Sequence, residues 1–403
     1  MRLTKLDDPF RSAMNYIQTS KHSMPINKAD PLLITNGADE AMPYMVSDTY
    51  CFRAKQDGSV KEVTKDYMIV EYKDGTGDYI SLKENVKKNS DGGFYVTIKL
   101  DTDLKEGKRF KENDILAYDK TTFSNSLGEN DNIAYNVGTL ARVAIATTDE
   151  GFEDSASCSQ WISEVMGSTV DAEIPISLDK NVNIYDIVKV GQAVQEGDPL
   201  IIFQNAFDDK DANMLLKNIT DTDFVSDLGR IRIRAKYTGF VQDIKIYRTC
   251  EIDECSDSVQ KLINDYEKVI KATKALYKKY KIPGANSLDP DYVLPQTGIL
   301  KNVSDGILIK FYIKYIDKLG IGDKITIQSA NKGTIKFIFP QGQEPFTASA
   351  PDKPIHVLVS SRSFNARMVT SPIVSGALNK ALIGLDEEVK KIMGIPIIPL
   401  EEQ

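Results

Sequence analysis

Two adjacent acids have side chains that could bind a metal ion. Glu153 and Asp154 are neighbouring carboxylates, and carboxylate oxygens are the ligands that a hard cation such as Mg²⁺ prefers. Adjacent acids are also common on solvated surfaces, and for this pair taken alone the surface role is the more frequent one.

Lysines gather near the other end of the chain. Residues 301–339 hold seven lysines against three aspartates, a local charge of +4, although the whole chain carries −8. Lys324 belongs to this segment, and Lys332 stands in the turn-like sequence Asn331-Lys332-Gly333. A strand-rich stretch of this charge could follow a phosphate backbone, whereas composition alone favours an ordinary solvated face. The acidic total argues against a free-standing nucleic-acid binder.

Several common catalytic and metal-binding patterns are absent from the sequence. It has no Walker A loop, no GxSxG and no GxGxxG before a helix. The sequence therefore contains no motif that would support a kinase, a hydrolase or a dinucleotide-binding enzyme. His22 and His356 are the only histidines, and Cys250 and Cys255 match no common zinc knuckle, so we expect no zinc site. Four cysteines and no secretion signal predict a reducing compartment without a disulfide framework, and no apolar run is long enough for a membrane span.

The elements that must position these side chains are mainly strands. The 403 residues are 41% hydrophobic and 27% charged, which is typical of soluble globular proteins of two or three domains. Runs rich in β-branched and aromatic residues, separated by Gly, Asp and Asn turns, predict strands. The runs lie at 67–73, 94–100, 231–237, 240–247 and 307–316.

Helical periodicity predicts two helices. One covers 257–281, with Ser256 as N-cap and Pro283-Gly284 after its end, and the other covers about 373–394. Three turns of the Gly/Asn-Asp type each precede an apolar strand, at Asn113-Asp114, Gly197-Asp198 and Gly322-Asp323.

Seven segments follow one another in the order found in a known family. They are 7–14 (DDPFRSAM, for DDxxRxxM), 30–37 (for PLVGTG), 54–60 (AKQDGSV, for AKxDGxV), 136–156 (for NVLVAF…GYNYEDAI), 229–246 (for GVxGTVxDVxV), 322–333 (GDKITIQSANKG, for GDKMAGRHGNKG) and 344–346 with 366–368 (for MPF and SRM). Together they resemble the second-largest (β) subunit of multisubunit DNA-directed RNA polymerases.

The resemblance implies a mainly β fold with some α, namely a double-psi β-barrel catalytic domain interrupted by a flap-like insertion. Residues 1–165 would form the first part of the barrel with an inserted β-rich module, and 166–298 the flap-like domain with its helix at 257–281. Residues 299–403 would complete the barrel and add the RNA/DNA-hybrid-binding region and a C-terminal helix. In the flap, the patch Met214-Leu215-Leu216 would either dock a partner helix or belong to the core.

The resemblance also implies roles for the basic residues near the reacting centre. Lys324 and Lys332 match lysines that hold phosphates at the RNA 3′ end and the incoming nucleotide, where each would stabilise charge. Asn331 and Lys336 stand in the same stretch and are expected to contact RNA or DNA.

Two arginines and the acidic pair complete the implied site. Arg11 and Arg367 match arginines that bind the β- and γ-phosphates of the nucleoside triphosphate, a task that suits the guanidinium fork. Glu153 and Asp154 match an acidic pair near the second Mg²⁺, which they would reach through water.

In this family a 3′-hydroxyl attacks the nucleotide α-phosphate with the help of two Mg²⁺ ions. The first ion is bound by an NADFDGD loop of the largest (β′) subunit, and that loop is absent here. The resemblance therefore implies one side of an active site that works only with β′, template DNA, RNA and nucleoside triphosphates. It also implies a separate chain with the N-terminal part of β, as in large-bacteriophage polymerases, in the host cytoplasm or the virion. A sigma-like factor is a further candidate partner, and no membrane is expected.

The alternative hypothesis is a non-catalytic scaffold, accessory or virion protein derived from the same barrel. Retention of the lysines, the arginines and the acidic pair as a set favours the polymerase subunit, because a scaffold has no need of them together.

Overall fold

The computed structural model describes residues 3–88, 95–127, 132–149, 153–205, 230–284, 306–328, 331–367 and 369–402. The helices are α1 (Pro9–Ile17), α2 (Ala38–Ala41), α3 (Gln160–Val165), α4 (Asp257–Lys279), α5 (Ser361–Arg367) and α6 (Ser371–Met393). Short 3-10 segments lie at Thr4–Leu6, Met42–Tyr44 and Ile252–Glu254, and Gln18–His22 forms a π-helical turn.

Strands outnumber helices, which confirms the mainly β prediction. They are β1 (Cys51–Arg53), β2 (Gly58–Val63), β3 (Tyr67–Tyr72), β4 (Gly77–Ser81), β5 (Asn85–Lys88), β6 (Tyr95–Ile98), β7 (Leu100–Asp101), β8 (Arg109–Phe110), β9 (Ile115–Asp119), β10 (Phe123–Asn125), β11 (Ile133–Tyr135), β12 (Val143–Ile145), β13 (Ser155–Ser159), β14 (Ser168–Asp179), β15 (Asn183–Ile187), β16 (Ala193–Val194), β17 (Pro199–Gln204), β18 (Ile231–Arg234), β19 (Gly239–Arg248), β20 (Gly306–Asp317), β21 (Lys324–Ile327), β22 (Asn331–Phe339) and β23 (Val357–Val359).

The individual element predictions are confirmed. The five predicted runs coincide with all or most of β3, β6, β18, β19 and β20, and the two predicted helices are α4 and α6. Ser256 caps α4, because its hydroxyl accepts the N–H of Val259 at 3.4 Å.

The chain divides into two compact units. Unit 1 contains residues 1–52, 118–169 and 316–403, and unit 2 contains 53–117 and 170–315. Both units are discontinuous in sequence, since the chain passes between them within β1, β9, β14 and β20. The domain boundaries suggested by the resemblance, and the double-psi barrel itself, stay predictions.

Unit 1 is built on a five-stranded mixed sheet in the order β12-β23-β13-β22-β21. The pairs β12–β23 and β13–β22 are parallel, whereas β23–β13 and β22–β21 are antiparallel. The central strand β13 is almost wholly buried, with Ala156 and Cys158 at 0% exposure. Ile325 of β21, Ile335 of β22 and Phe364 of α5 pack into the same apolar core, which therefore fixes the hairpin and the helix relative to each other.

Unit 2 contains a six-stranded sheet in the order β16-β19-β20-β14-β6-β5, together with the sheets β4-β3-β2-β8 and β15-β17-β18. On β20, alternate residues face opposite sides of the sheet. Ile307, Ile309, Phe311 and Ile313 belong to the apolar core against which α4 packs through Val259 and Ile263.

The other face of β20 carries a buried charge. Lys310 is 7% exposed and its ammonium lies 2.9 Å from a Glu173 carboxylate oxygen. The hydroxyls of Tyr95 and Tyr312 donate to the same carboxylate at 2.5 and 3.1 Å. Burial and the hydrogen bond to Glu173 raise the pKa of Tyr95 to about 12, so its hydroxyl stays protonated and able to donate at neutral pH.

The three Gly/Asn-Asp turns share one structure. Their first residues have left-handed backbones, with φ of 67°, 92° and 97° at Asn113, Gly197 and Gly322. The following aspartate accepts the backbone N–H of the residue three positions earlier, at 2.8 Å in each turn; the donors are Lys111, Gln195 and Gly320.

Each of these turns also pairs twice with one residue of a neighbouring segment. That residue accepts the N–H of the left-handed residue and donates its own N–H to the aspartate carbonyl. The three partners are Ala54, Ala235 and Ile335, with N···O distances of 2.8 to 2.9 Å. The turn thus starts a strand in a defined register, and it does so in both units.

Candidate functional site

The hairpin β21–β22 places two of the predicted lysines on one face. Lys324 is opposite Thr334 and Thr326 is opposite Lys332, so the two lysines are diagonal neighbours across the hairpin. Ile325 and Ile335, on the other face, are 5% and 1% exposed and anchor the hairpin in the core. Lys324 is exposed and Lys332 is half-buried. Within the ranges that the structure covers, neither ammonium has a hydrogen-bond or ion-pair partner.

Parallel pairing of β13 with β22 brings Asp154 beside this hairpin. Ser155 is opposite Thr334, and the N–H of Thr334 donates to the Asp154 carbonyl at 3.0 Å. Gly333 lies at the crossing point, where a Cβ would stand 3.0 Å from Ala156 Cβ and 3.3 Å from the Asp154 carbonyl oxygen. A glycine therefore allows the close approach of the two strands at this position.

Arg367, the last residue of α5, reaches across to both strands. One terminal nitrogen, Nη2, lies 2.5 Å from Asp154 Oδ1. The other, Nη1, lies 2.9 Å from Ser363 Oγ and 3.2 Å from both Asn331 Oδ1 and the Lys332 carbonyl oxygen. Four of the predicted residues (Asp154, Asn331, Lys332 and Arg367) are thus joined in one network.

The neutral members of this network are buried. Ser363 Oγ donates to Asn331 Oδ1 at 2.7 Å, and the two residues are 6% and 3% exposed. Ser363 and Arg367 are four positions apart on α5 and so share a helix face, while Phe364 between them is 4% exposed in the core. The side chain of Arg367 is itself only 17% exposed.

Two further predicted residues stand outside the network. Glu153 has a left-handed backbone, φ 51°, and an exposed side chain that has no hydrogen bond or ion pair among the described residues. Lys336, on β22, donates to the carbonyl of Asp149 at 2.6 Å. The acidic pair is therefore split, with Asp154 bound to Arg367 and Glu153 facing solvent.

Arg11 lies on α1, which is tied to the chain just beyond Arg367. Asp8 caps α1 by accepting the N–H of Phe10 at 3.0 Å. Its neighbour Asp7 accepts the N–H groups of Thr370 and Ser371 at 3.1 and 2.9 Å and the Ser371 hydroxyl at 2.5 Å.

The two adjacent aspartates thus bind the starts of two different helices, α1 and α6. The contacts of Asp7 place α1, which carries Arg11, next to the segment that follows Arg367. In the described ranges, however, no hydrogen bond or ion pair joins the two guanidinium groups to a common partner. Arg11 Nη1 instead lies 3.4 Å from Met14 Sδ.

Ser363 and Asp7 are contributors that the sequence did not reveal as site residues. Asp7 was part of a recognised motif without a role, and its capping of α6 depends on a contact across more than 360 residues. Ser363 could have been found from its spacing of four to Arg367, once a helix over that segment was assumed.

The described residues offer no complete metal site. No three His, Cys, Asp or Glu side chains converge within them. Glu153 and Asp154 are the oxygen donors that Mg²⁺ accepts, and two carboxylates suit an ion whose other ligands come from elsewhere. Burial raises the pKa of the Cys158 thiol on β13 to about 12, so this cysteine carries no thiolate at neutral pH. The predicted partner patch Met214-Leu215-Leu216 lies outside the described residues.

Comparison with known proteins identifies the family. The model of RNA polymerase Rpb2, domain 6, matches residues 131–391, more than half of the chain, and this stretch contains the hairpin, Asp154 and Arg367. The chain belongs to this family. It is related to RNA polymerase β subunits, as the ordered motifs predicted.

Curated relatives carry the same name. The chain is 25% identical over 154 residues to the DNA-directed RNA polymerase subunit beta of Lawsonia intracellularis, covering 37% of this chain and 10% of the relative. It is 22% identical over 336 residues to that of Lactobacillus acidophilus, covering 78% of this chain and 23% of the relative. The chain thus matches a quarter or less of these relatives' length. In the described part of this Rpb2 domain 6 protein, no helix is long and apolar enough to cross a membrane.

Proposed function

We propose that this chain forms the β side of the active site in a multisubunit DNA-dependent RNA polymerase. In this proposal the five-stranded sheet of unit 1 belongs to a double-psi β-barrel. The chain binds the nucleoside triphosphate and the RNA 3′ end during template-directed nucleotidyl transfer. It is a nucleotidyltransferase subunit that is active only with the largest (β′) subunit.

The observation that carries the proposal is the pair of lysines on the β21–β22 hairpin. Lys324 and Lys332 are held on one face by buried residues of the other face, yet their ammonium groups have no described partner. Lys332 is half-buried, and lysines are almost never fully buried in a fold unless they are paired, whereas Lys324 is exposed. Two cations on one face of an anchored hairpin beside an arginine, neither with a partner among the described residues, suit a polyanion such as a triphosphate or an RNA end.

Each cation has a defined task in this mechanism. Lys324 and Lys332 neutralise charge that develops on the phosphates in the transition state, and removal of one such preorganised group typically costs about 10²- to 10³-fold in rate. Arg11 and Arg367 orient the β- and γ-phosphates, since a planar guanidinium can bind two oxygens at once. Mg²⁺, when bound, supplies electrostatic stabilisation of the attacking and leaving oxygens, and Glu153 with Asp154 would contribute to holding the second ion.

The proposed partners are those of the enzyme whose β subunit this chain resembles. The β′ chain would supply the aspartates for the first metal, and a separate chain would carry the N-terminal part of β. DNA and RNA would contact Lys336 as well as the two lysines, whereas the buried Asn331 would act through its hydrogen bond to Arg367. A sigma-like factor would direct initiation. Such a split enzyme would act in the host cytoplasm or be packaged in a virion, as in large bacteriophages.

Affinity purification of the tagged full chain from its native source, with mass spectrometry of the co-purifying proteins, tests the assembly. We expect a chain with an NADFDGD loop and a second chain that resembles the N-terminal part of β. Recovery of the chain alone, or with structural proteins only, would favour the scaffold or virion-protein hypothesis, which predicts no requirement for Lys324 and Lys332.

A further inference from the structure

The guanidinium of Arg367 is held in two different ways at its two terminal nitrogens. Nη1 faces three oxygens of the protein, those of Ser363, Asn331 and the Lys332 backbone, at 2.9 to 3.2 Å. Nη2 has the carboxylate of Asp154, whose side chain is 65% exposed. The first set of partners is neutral and mostly buried, whereas the second is charged and solvated.

These two sets of contacts differ in how readily they can be exchanged. Loss of the Nη1 contacts would remove charge-assisted hydrogen bonds from Asn331 Oδ1 and Ser363 Oγ, two buried oxygens that would then keep only the bond between them, which is costly. Loss of the Nη2 contact only returns an exposed carboxylate to water, and ion pairs with an exposed member contribute little to stability. Ser363 and Asn331 therefore act as positioning residues that hold the guanidinium, while Nη2 can change its partner.

We propose that Asp154 occupies the anion position of Arg367 in the resting protein and that an incoming polyphosphate displaces it. This inference rests on the proposed function, because it concerns the arginine to which that function assigns the nucleotide phosphates. It adds a self-competition: the carboxylate and the phosphate are alternative partners of one guanidinium nitrogen.

The exchange has two consequences for the site. Polyphosphate binding is weakened by the carboxylate that it must replace, so removal of that carboxylate strengthens binding. The displaced Asp154 side chain, next to Glu153, then becomes available to the divalent cation that accompanies a nucleotide. The guanidinium of Arg367 thus binds the phosphates and releases the Asp154 carboxylate in the same step.

The adjacent acid offers a matched control. Asp154→Asn and Glu153→Gln each remove one negative charge, one residue apart, but Glu153 has no described partner in the network. Isothermal titration of the full chain with inorganic tripolyphosphate, in the absence of divalent metal, compares the two variants with the wild type. Asp154→Ser serves as a second variant in case the asparagine protein does not fold, and thermal unfolding verifies each fold.

We expect the Asp154→Asn protein to bind tripolyphosphate about threefold to tenfold more tightly than the wild type, and Glu153→Gln to change the affinity by less than about twofold. Addition of Arg367→Gln should abolish the gain. Equal affinities of the two single variants, or a gain that survives Arg367→Gln, would overturn the exchange. A gain in affinity for Asp154→Asn in a chain that assembles into no polymerase would support the exchange and reject the proposed function. The absence of a gain in a chain that does assemble into a polymerase would reject the exchange and support the proposed function.

Discussion

Lys310 and Lys332 are lysines on central β-strands of this protein, and the surroundings of their ammonium groups differ. Lys310, in unit 2, is 7% exposed and lies against Glu173, which two tyrosine hydroxyls also contact. Lys332, in unit 1, is half-buried and has no described partner for its ammonium. The charge of Lys310 is neutralised within the chain, whereas under the proposed function the charge of Lys332 is neutralised by a bound phosphate.

The largest expected effect comes from breaking the buried pair. Lys310→Met leaves the Glu173 carboxylate without its cation in an interior site, and we expect the free energy of unfolding to fall by about 3–5 kcal/mol. Chemical denaturation monitored by circular dichroism measures this loss. The double variant Lys310→Met/Glu173→Gln should recover part of it, and a double variant as unstable as the single would contradict the role assigned to the pair.

The next largest effect concerns catalysis. Lys332→Ala should lower nucleotide addition by the assembled polymerase about 100-fold at limiting nucleotide, with assembly and thermal stability unchanged, because a preorganised charge at the reacting phosphates is lost. Single-nucleotide extension of an RNA primer measures the rate.

Lys318→Ala is the control for this experiment, since Lys318 is an exposed lysine of the same unit whose partner is Glu164 at 3.0 Å. Equal rates for Lys332→Ala and Lys318→Ala would contradict the assignment of Lys332 to the reacting phosphates.

His356 extends the comparison to a buried side chain that is neutral at neutral pH. His356 is 1% exposed, and burial together with the nearby Arg142 lowers its pKa from 6.5 to about 4. Between these values the unfolded chain binds a proton that the folded chain does not, so stability falls as the pH falls from about 6.5 to 4, by at most about 3 kcal/mol.

Denaturation at a series of pH values tests this for the wild type and His356→Gln. The variant should show a flatter dependence over that range, and His22→Gln, at an exposed position, should not. A wild-type slope retained in His356→Gln would assign the pH dependence to other groups.

The smallest expected effect separates turn geometry from chemistry. Asp323→Ala and Asp198→Ala each remove a hydrogen bond of 2.8 Å from the same kind of turn, so each should cost about 1 kcal/mol of stability. The first should also slow nucleotide addition several-fold, because Lys324 follows that turn directly. An equal effect of both variants on activity would show that the turn before Lys324 has no special role.

Local signals were sufficient for much of this fold. The β-branched and aromatic run at 307–316, the capped periodicity of 257–281 and the Gly/Asn-Asp turns each correspond to an element of the structure, because strand, helix and turn preferences act over a few neighbouring residues. The order of seven motifs placed the chain in its family, since spacing across the whole sequence is far more specific than any one motif.

The sequence by itself determined which residue types are available, with lysines at 324 and 332, acids at 153 and 154 and an arginine at 367. Only the tertiary structure decided how they are paired. Arg367 meets Asp154 because a parallel strand pair and a core-anchored helix bring together residues more than 200 positions apart. Asp7 caps α6 across more than 360 positions. Such contacts depend on the packing of whole elements, which no short-range pattern encodes.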